Sequence, residues 1–374
     1  MQLIGIRQRS ESERLKVSFS KVMLNLVKHF PQALTNRQIQ SFILIAPHIT
    51  ELVITLNQDT QERDLLKIAF GLSNFYKSQG AFIQAGAIWE YCLPIIEERT
   101  DETHPYVAVC LCNLGLLFQL QGRYNEAETL LCKTLQLYQR ILGNEHPDLA
   151  THFNNLALLY QERGRYEEAE PLLLKCLEFK KVLRGNSHPD LAVHLNNLAM
   201  LYHEQKRYDD AESLLLQALE LVRDSSQRQY PDFVTSLDNL GLVYHSQQRF
   251  SEAQPMLLRA LTLRQQILHE NHPDIANSLS NLGSLYYAEE CYSQAEILFI
   301  EALELRKRVL GKEHPSVAHS LNNLAMVNRS QGNYAIAELL LIEALTLAQR
   351  QLGVDHPNTQ TFCKNLESLK EYQN

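Results

Sequence analysis

The chain has 374 residues, 45% of them apolar and 21% charged, which is enough apolar matter for a core and too little charge for a disordered chain. With 35 basic against 43 acidic residues, the net charge of −8 excludes a global electrostatic case for nucleic acid or an anionic membrane. Length alone allows about two or three globular domains, or one elongated array.

In chain order, residues 1–58 come first and run against the overall charge. They carry seven Lys or Arg but only Glu11, Glu13 and Glu51, about +4 net. The start, MQLIGIRQRSESERLK, has no apolar h-region and no small-residue cleavage site. The stretch FILIAPHITELVITL, 42–56, is broken by Pro47, His48 and Glu51 and is too short to span a bilayer. Helices are expected at 13–29 and 36–57, and together residues 1–61 form a helical cap. Arg7, Arg9, Arg14, Lys16, Lys21 and Lys28 lack interleaved aromatics, so they read as a solvated helix face. Seven cysteines, an odd number, do not make a disulfide framework and fit a reducing compartment. The expected location is the cytoplasm.

From residue 62 onward the chain repeats itself. His-Pro occurs at 104, 146, 188, 272, 314 and 356, with Tyr230-Pro231 in the gap, so each step is 42 residues. Nine residues after each His or Tyr stands Asn-Leu, at Asn113, Asn155, Asn197, Asn239, Asn281, Asn323 and Asn365. An aromatic with Ala three later follows in phase: Tyr124/Ala127, Tyr166/Ala169, Tyr208/Ala211, Phe250/Ala253, Tyr292/Ala295 and Tyr334/Ala337. A weaker copy lies at 62–103, with Leu72, Gly80, Phe82 and Ala85 on register. That makes seven units over 62–355 and a closing helix at 356–374.

Each unit reads as two antiparallel helices, and no segment alternates as a strand does. Between His146 and Ser187, Leu149, Phe153, Leu156, Leu159 and Tyr160 recur at helical spacing, as do Ala169, Leu172, Leu173, Cys176 and Leu177. Pro147 suits a first helical turn and Asp148 complements the dipole there. Gly164 and Gly185 are placed to end the two helices.

Small residues recur where the two helices must cross closely. The first helices carry Gly115, Ala157, Ala199, Gly241, Gly283 and Ala325. The second carry the six alanines above, then Thr134, Cys176, Ala218, Ala260, Ala302 and Ala344. This order is the tetratricopeptide pattern. The predicted fold is all-α: a solenoid of antiparallel helix pairs with an N-terminal helical cap.

With its HPD-LA…LNNLA-LY…GRY-EAE-L…AL…LG motif, the array resembles the tetratricopeptide domain of kinesin light chains and their bacterial relatives. The resemblance is strong over 104–370 and weaker over 62–103. It implies a right-handed superhelix whose concave groove, lined by the first helices, binds peptide segments of partner proteins. Kinesin light chains precede this domain with a heptad coiled coil. Residues 1–61 lack sustained a/d spacing, so a motor heavy chain is not an expected partner. The lead-in at 45–86 resembles that of repeats in NB-ARC-type signalling NTPases. A sensor or regulatory module of such a system is therefore the alternative function, although the chain has no GxxxxGK[ST] loop.

Catalytic and metal chemistry find little support in the motifs. The His-Pro pairs occur once per unit, too dispersed to converge on one ion, and they suit helix caps. His269-Glu270-Asn271-His272 falls short of HExxH, and Cys110 and Cys112 face different sides of a helix. No GxSxG, GxGxxG or paired Cys/His arrangement occurs. No enzyme activity, cofactor or metal is expected, and Trp89 is expected in the core.

The asparagines carry the functional signal. Asn113, Asn155, Asn197, Asn239, Asn281 and Asn323 recur on first helices, where asparagine has poor propensity, and Asn154, Asn196 and Asn322 precede three of them. Either each amide bonds the neighbouring unit and seals the stack, or it faces a peptide main chain; an amide has sites enough for both. The resemblance places the Asn before Leu–small in the groove. His203, His245, Tyr287 and Arg329, with Thr151, Thr235, Asn277 and His319 near the helix starts, would then set selectivity. The expected function is a non-enzymatic scaffold that holds a peptide segment of a partner protein.

Overall fold

A computed structural model describes residues 61–78, 81–223, 231–268 and 270–373. The helices expected at 13–29 and 36–57, the basic residues beside them and the register position Gly80 lie outside these. The described chain is helical throughout: α1 (Glu62–Ser78), α2 (Phe82–Arg99), α3 (Pro105–Leu120), α4 (Tyr124–Leu142), α5 (Ala150–Glu162), α6 (Tyr166–Arg184), α7 (Leu191–Glu204) and α8 (Tyr208–Arg223). Then follow α9 (Pro231–Ser246), α10 (Phe250–Ile267), α11 (Pro273–Ala288), α12 (Tyr292–Leu310), α13 (Pro315–Ser330), α14 (Tyr334–Leu352) and α15 (Pro357–Gln373). A 3₁₀ turn, Pro147–Leu149, leads into α5.

The backbone contacts divide the chain into two compact units, Met1–Leu117 and Phe118–Asn374. In the first, α1 packs on α2. Trp89 is fully buried there and meets Phe70 edge-on, with ring centroids 4.9 Å apart.

In the second unit, helices pair as α5/α6, α7/α8, α9/α10, α11/α12 and α13/α14, and each pair packs on the next. The local reasons are those the sequence supplies. Every His of a His-Pro pair accepts a hydrogen bond at Nδ1 from the backbone N–H two residues on. Distances are 3.1 Å at His104, His314 and His356 and 3.2 Å at His146, His188 and His272. An imidazole thus does the work usually given to a Ser or Asp cap, and Pro fills the first turn, where no N–H is missed.

The turn after each first helix needs a left-handed residue. Gly164 supplies it at φ +71°, but Lys206, Gln248 and Glu290 stand in the same place at φ of 60–61°. For these three side chains the conformation is strained.

The crossing positions pack as the small-residue stripes require. Ala169, Ala211, Ala253, Ala295, Ala337, Ala157, Ala199 and Ala325 are all completely buried. At Gly283 a Cβ would stand 2.9 Å from the Phe299 ring, and at Gly241 one would stand 2.7 Å from Leu257. Here glycine is a matter of space.

Within the second unit the two ends of the stack also meet. A Cβ on Gly122, in the turn before α4, would lie 2.8 Å from Cδ2 of His356, the cap of α15. The Tyr124 ring lies 6.4 Å from the same imidazole.

Candidate functional site

The first helices of the pairs form one layer of the stack, the inner one in the groove that the resemblance implies. Successive first helices touch directly, α7 on α9, α9 on α11, α11 on α13 and α13 on α15. Residues four apart on one of these helices share a face, so Asn277 and Asn281, or His319 and Asn323, stand together.

The asparagine column runs along this layer and is bonded across it. Asn197 Nδ2 donates to Asn154 Oδ1 at 2.8 Å, Asn239 to Asn196 at 3.5 Å, and Asn365 to Asn322 at 2.8 Å. Asn281 stands in the same relation to Asp238, 43 residues earlier. Asn113 instead turns back to the Val109 carbonyl at 2.8 Å. The amides therefore do join the units.

They are not spent in doing so. Asn197 and Asn239 are half-buried, and among the described residues their Oδ1 atoms accept no hydrogen bond while one amide hydrogen of each remains. Asn155 and Asn323 are likewise half-buried. Asn196 and Asn322 differ: they are 4% and 9% exposed, and Asn196 also donates to Ser236 Oγ at 2.9 Å. As the first members of their Asn-Asn pairs, they are buried in the helix seam and bonded across it. Asn154, half-buried, accepts in the same seam.

A second column follows the expected selectivity positions. His203 shares a 2.7 Å hydrogen bond with Ser246, and Tyr287 shares one of 3.0 Å with Ser330. His245 stacks at a tilt against Phe250, 6.0 Å between centroids. Arg329 is half-buried at the same register. Burial pushes the His203 and His245 imidazoles below their usual range, favouring the neutral ring. His319 is exposed, yet it and His314 are held down to about 4 by loss of hydration and by the nearby charge of Arg306.

An arrangement that sequence spacing did not show joins the other edge of the seam. Tyr202 OH donates to Glu170 at 3.0 Å and Tyr244 OH to Glu212 at 3.1 Å, each carboxylate lying on the preceding second helix. Arg207 and Arg249 reach the same carboxylates at 3.1 and 2.6 Å. Their guanidinium carbons lie 3.8 and 4.2 Å from the Tyr202 and Tyr244 ring centroids. Arg165 repeats the pattern with Glu128 and Tyr160. Cys291 and Asn333 stand where these arginines would recur. Beside this seam lies a depression of about 630 Å³ lined by Gln119, Leu158, Gln161, Glu162, Tyr166 and Glu204.

A family profile described as tetratricopeptide repeat matches residues 64–140, 116–182, 148–224, 232–299 and 274–350. These segments cover most of the chain, and it belongs to the tetratricopeptide repeat family. Among solved structures it is similar to a Rap protein in complex with competence and sporulation factor. That likeness has 13% identity and a TM-score of 0.57, over 95% of this chain and 98% of that one. It is also similar to a putative kinesin light chain from Podosopora anserina with nearly identical repeats, at 23% identity and a TM-score of 0.45, over 55% of this chain and 97% of that one. A third is a signal transduction ATPase with a tetratricopeptide sensor from Pyrococcus horikoshii, at 14% identity and a TM-score of 0.49, over 88% of this chain and 50% of that one. Comparison of the sequence with curated proteins finds no match. The solenoid fold that the repeat family implies is shared with the Rap protein. No described helix is long and apolar enough to cross a membrane.

Proposed function

We propose that the chain is a non-enzymatic interaction scaffold whose inner layer holds an extended peptide segment of a partner protein. The supporting observation is the asparagine column. Asn197 and Asn239 sit on adjacent first helices and keep acceptor and donor sites open after bonding their neighbours. An extended main chain offers N–H and C=O groups at regular intervals, and repeated amides can meet both. His203, His245, Tyr287 and Arg329 flank that path, so selectivity rests on neutral imidazoles, a phenol and one guanidinium.

The sequence supplies no nucleophile–base constellation, and catalysis forms no part of this reading. The test is selection of peptides from a random display library on the whole chain, followed by hydrogen-exchange footprinting of the best binder. Slowed exchange along the first helices α7, α9 and α11 is expected. Protection confined to the second helices, or a library that yields no binder, would overturn the reading.

A further inference from the structure

Two arginines occupy the same place in successive units. Arg264 on α10 forms an ion pair with Asp238 on α9, the two side chains 11% and 5% exposed, and also donates to Ser278. Arg306 on α12 is buried at 6% exposure in the next unit. Where Asp238 stood, that unit has Ser280. The cation has stayed and its counter-charge has gone.

Arg306 is hydrogen-bonded only to neutral groups. Its Nη1 donates to Ser280 Oγ at 3.0 Å and Ser320 Oγ at 2.5 Å. Its Nη2 donates to Asn277 Oδ1 at 2.9 Å and the Ala276 carbonyl at 3.4 Å. Among the described residues no carboxylate lies within ion-pairing distance of it. The titratable groups facing it are His314 and His319, and both are kept neutral partly by its charge. Burial itself lowers the guanidinium to about 10.

A buried cation without an anion is costly, and such groups are ordinarily paired. Three of the four acceptors are fixed in packed helices, since Ser280, Ser320 and Ala276 are buried. The fourth, Asn277, is on an exposed side chain, one helical turn before Asn281 on the inner layer. Its Oδ1 stands where a carboxylate oxygen could stand, and exchanging a neutral acceptor for a charged one strengthens the bond.

We propose that Arg306, Ser280, Ser320 and His319 form a carboxylate-binding subsite on the inner layer, opened when the Asn277 side chain turns aside. The carboxylate belongs to the bound peptide, as an acidic side chain or as its C-terminus. The assignment to a peptide rests on the scaffold reading; the affinity for a carboxylate does not.

The test uses acetate as the probe on the whole chain, at pH 7 and matched ionic strength with chloride. Acetate should raise the melting temperature of the wild type by about 2 °C and move the NMR titration midpoint of His319 upward. Both responses should vanish in Arg306→Met. Ser280→Asp supplies the anion from within, as Asp238 does for Arg264, and should melt higher than wild type and ignore acetate. An equal acetate response in wild type and Arg306→Met, no response in wild type, or a Ser280→Asp protein that melts lower would each overturn the subsite. Acetate binding without any selected peptide would instead count against the scaffold reading alone. For a selected peptide, loss of affinity on C-terminal amidation identifies the C-terminus, and loss on Glu→Gln or Asp→Asn identifies a side chain. No loss on either change overturns the peptide assignment.

Discussion

At the scale of single residues, the left-handed turn positions and the buried imidazoles lead to separate predictions. Lys206 holds φ at +61° where other units place glycine, and a side chain in that region costs about 1–2 kcal/mol. Glycine gives back part of this through its freer unfolded chain, so Lys206→Gly should raise stability by about 0.5–1 kcal/mol, read as a higher urea midpoint. The histidines set the acid limit. His314 and His319 have folded values of about 4 against an unfolded 6.5, and His152, His194, His203, His245 and His356 are lowered in the same direction. The unfolded chain then binds more protons, so stability is complete above about pH 6.5 and falls as the pH drops toward 4. The raised carboxyls Asp238, Glu162 and Asp232 act in the opposite sense, over the carboxylate range near the bottom of that window. A pH series of melts should fall steadily from pH 6.5 to 5; a flat series would show that these imidazoles stay hydrated.

At the scale of helices, packing decides what each small residue is for. Gly283 faces Phe299, whereas the same two register positions two units earlier hold Ala199 and Leu215, both completely buried. Gly283→Ala should therefore cost about 1–3 kcal/mol by overpacking, and adding Phe299→Leu should recover most of it. His188→Ala, which touches only a cap, should cost at most about 1 kcal/mol. Denaturation of the three variants side by side checks the order.

The helix pairs, the caps and the amide column were legible in the sequence because their signals lie within one period. The Tyr202–Glu170–Arg207 cluster was not. Its partners are brought together only when one unit stacks on the next, and each residue read singly is an ordinary surface charge. Glu170→Ala should remove the acceptor for Tyr202 and Arg207 together and cost about 1–2 kcal/mol. Asn196 and Asn322 were read with the groove asparagines, and a one-residue step around the helix turns them into the seam instead. Arg306 escaped notice because its meaning lies in a comparison: the serine at 280 matters only beside the aspartate at 238.

At the scale of the molecule, the helix pairs of the second unit pack each on the next, and among the described residues the Gly122 turn also meets His356. Deleting residues from His314 onward removes α13, α14 and α15 and exposes an apolar end, so a soluble helical protein with a lower midpoint and more aggregation is expected. The same deletion removes His356 from the Gly122 turn, an added loss that a purely linear array would not show. Complete unfolding of the truncated protein at low temperature would contradict the solenoid account.

If the inner amides bind as well as seal, Asn197 and Asn239 separate the two roles. Each gives one bond to its neighbour and keeps other sites open. Affinity of a selected peptide for the Asn197→Ala/Asn239→Ala protein, measured beside its melting curve, tests this most directly. Two lost hydrogen bonds should weaken binding by about tenfold or more, while the melting temperature stays within about 4 °C of wild type. A double variant that melts much lower yet binds the peptide with unchanged affinity at low temperature would contradict the account.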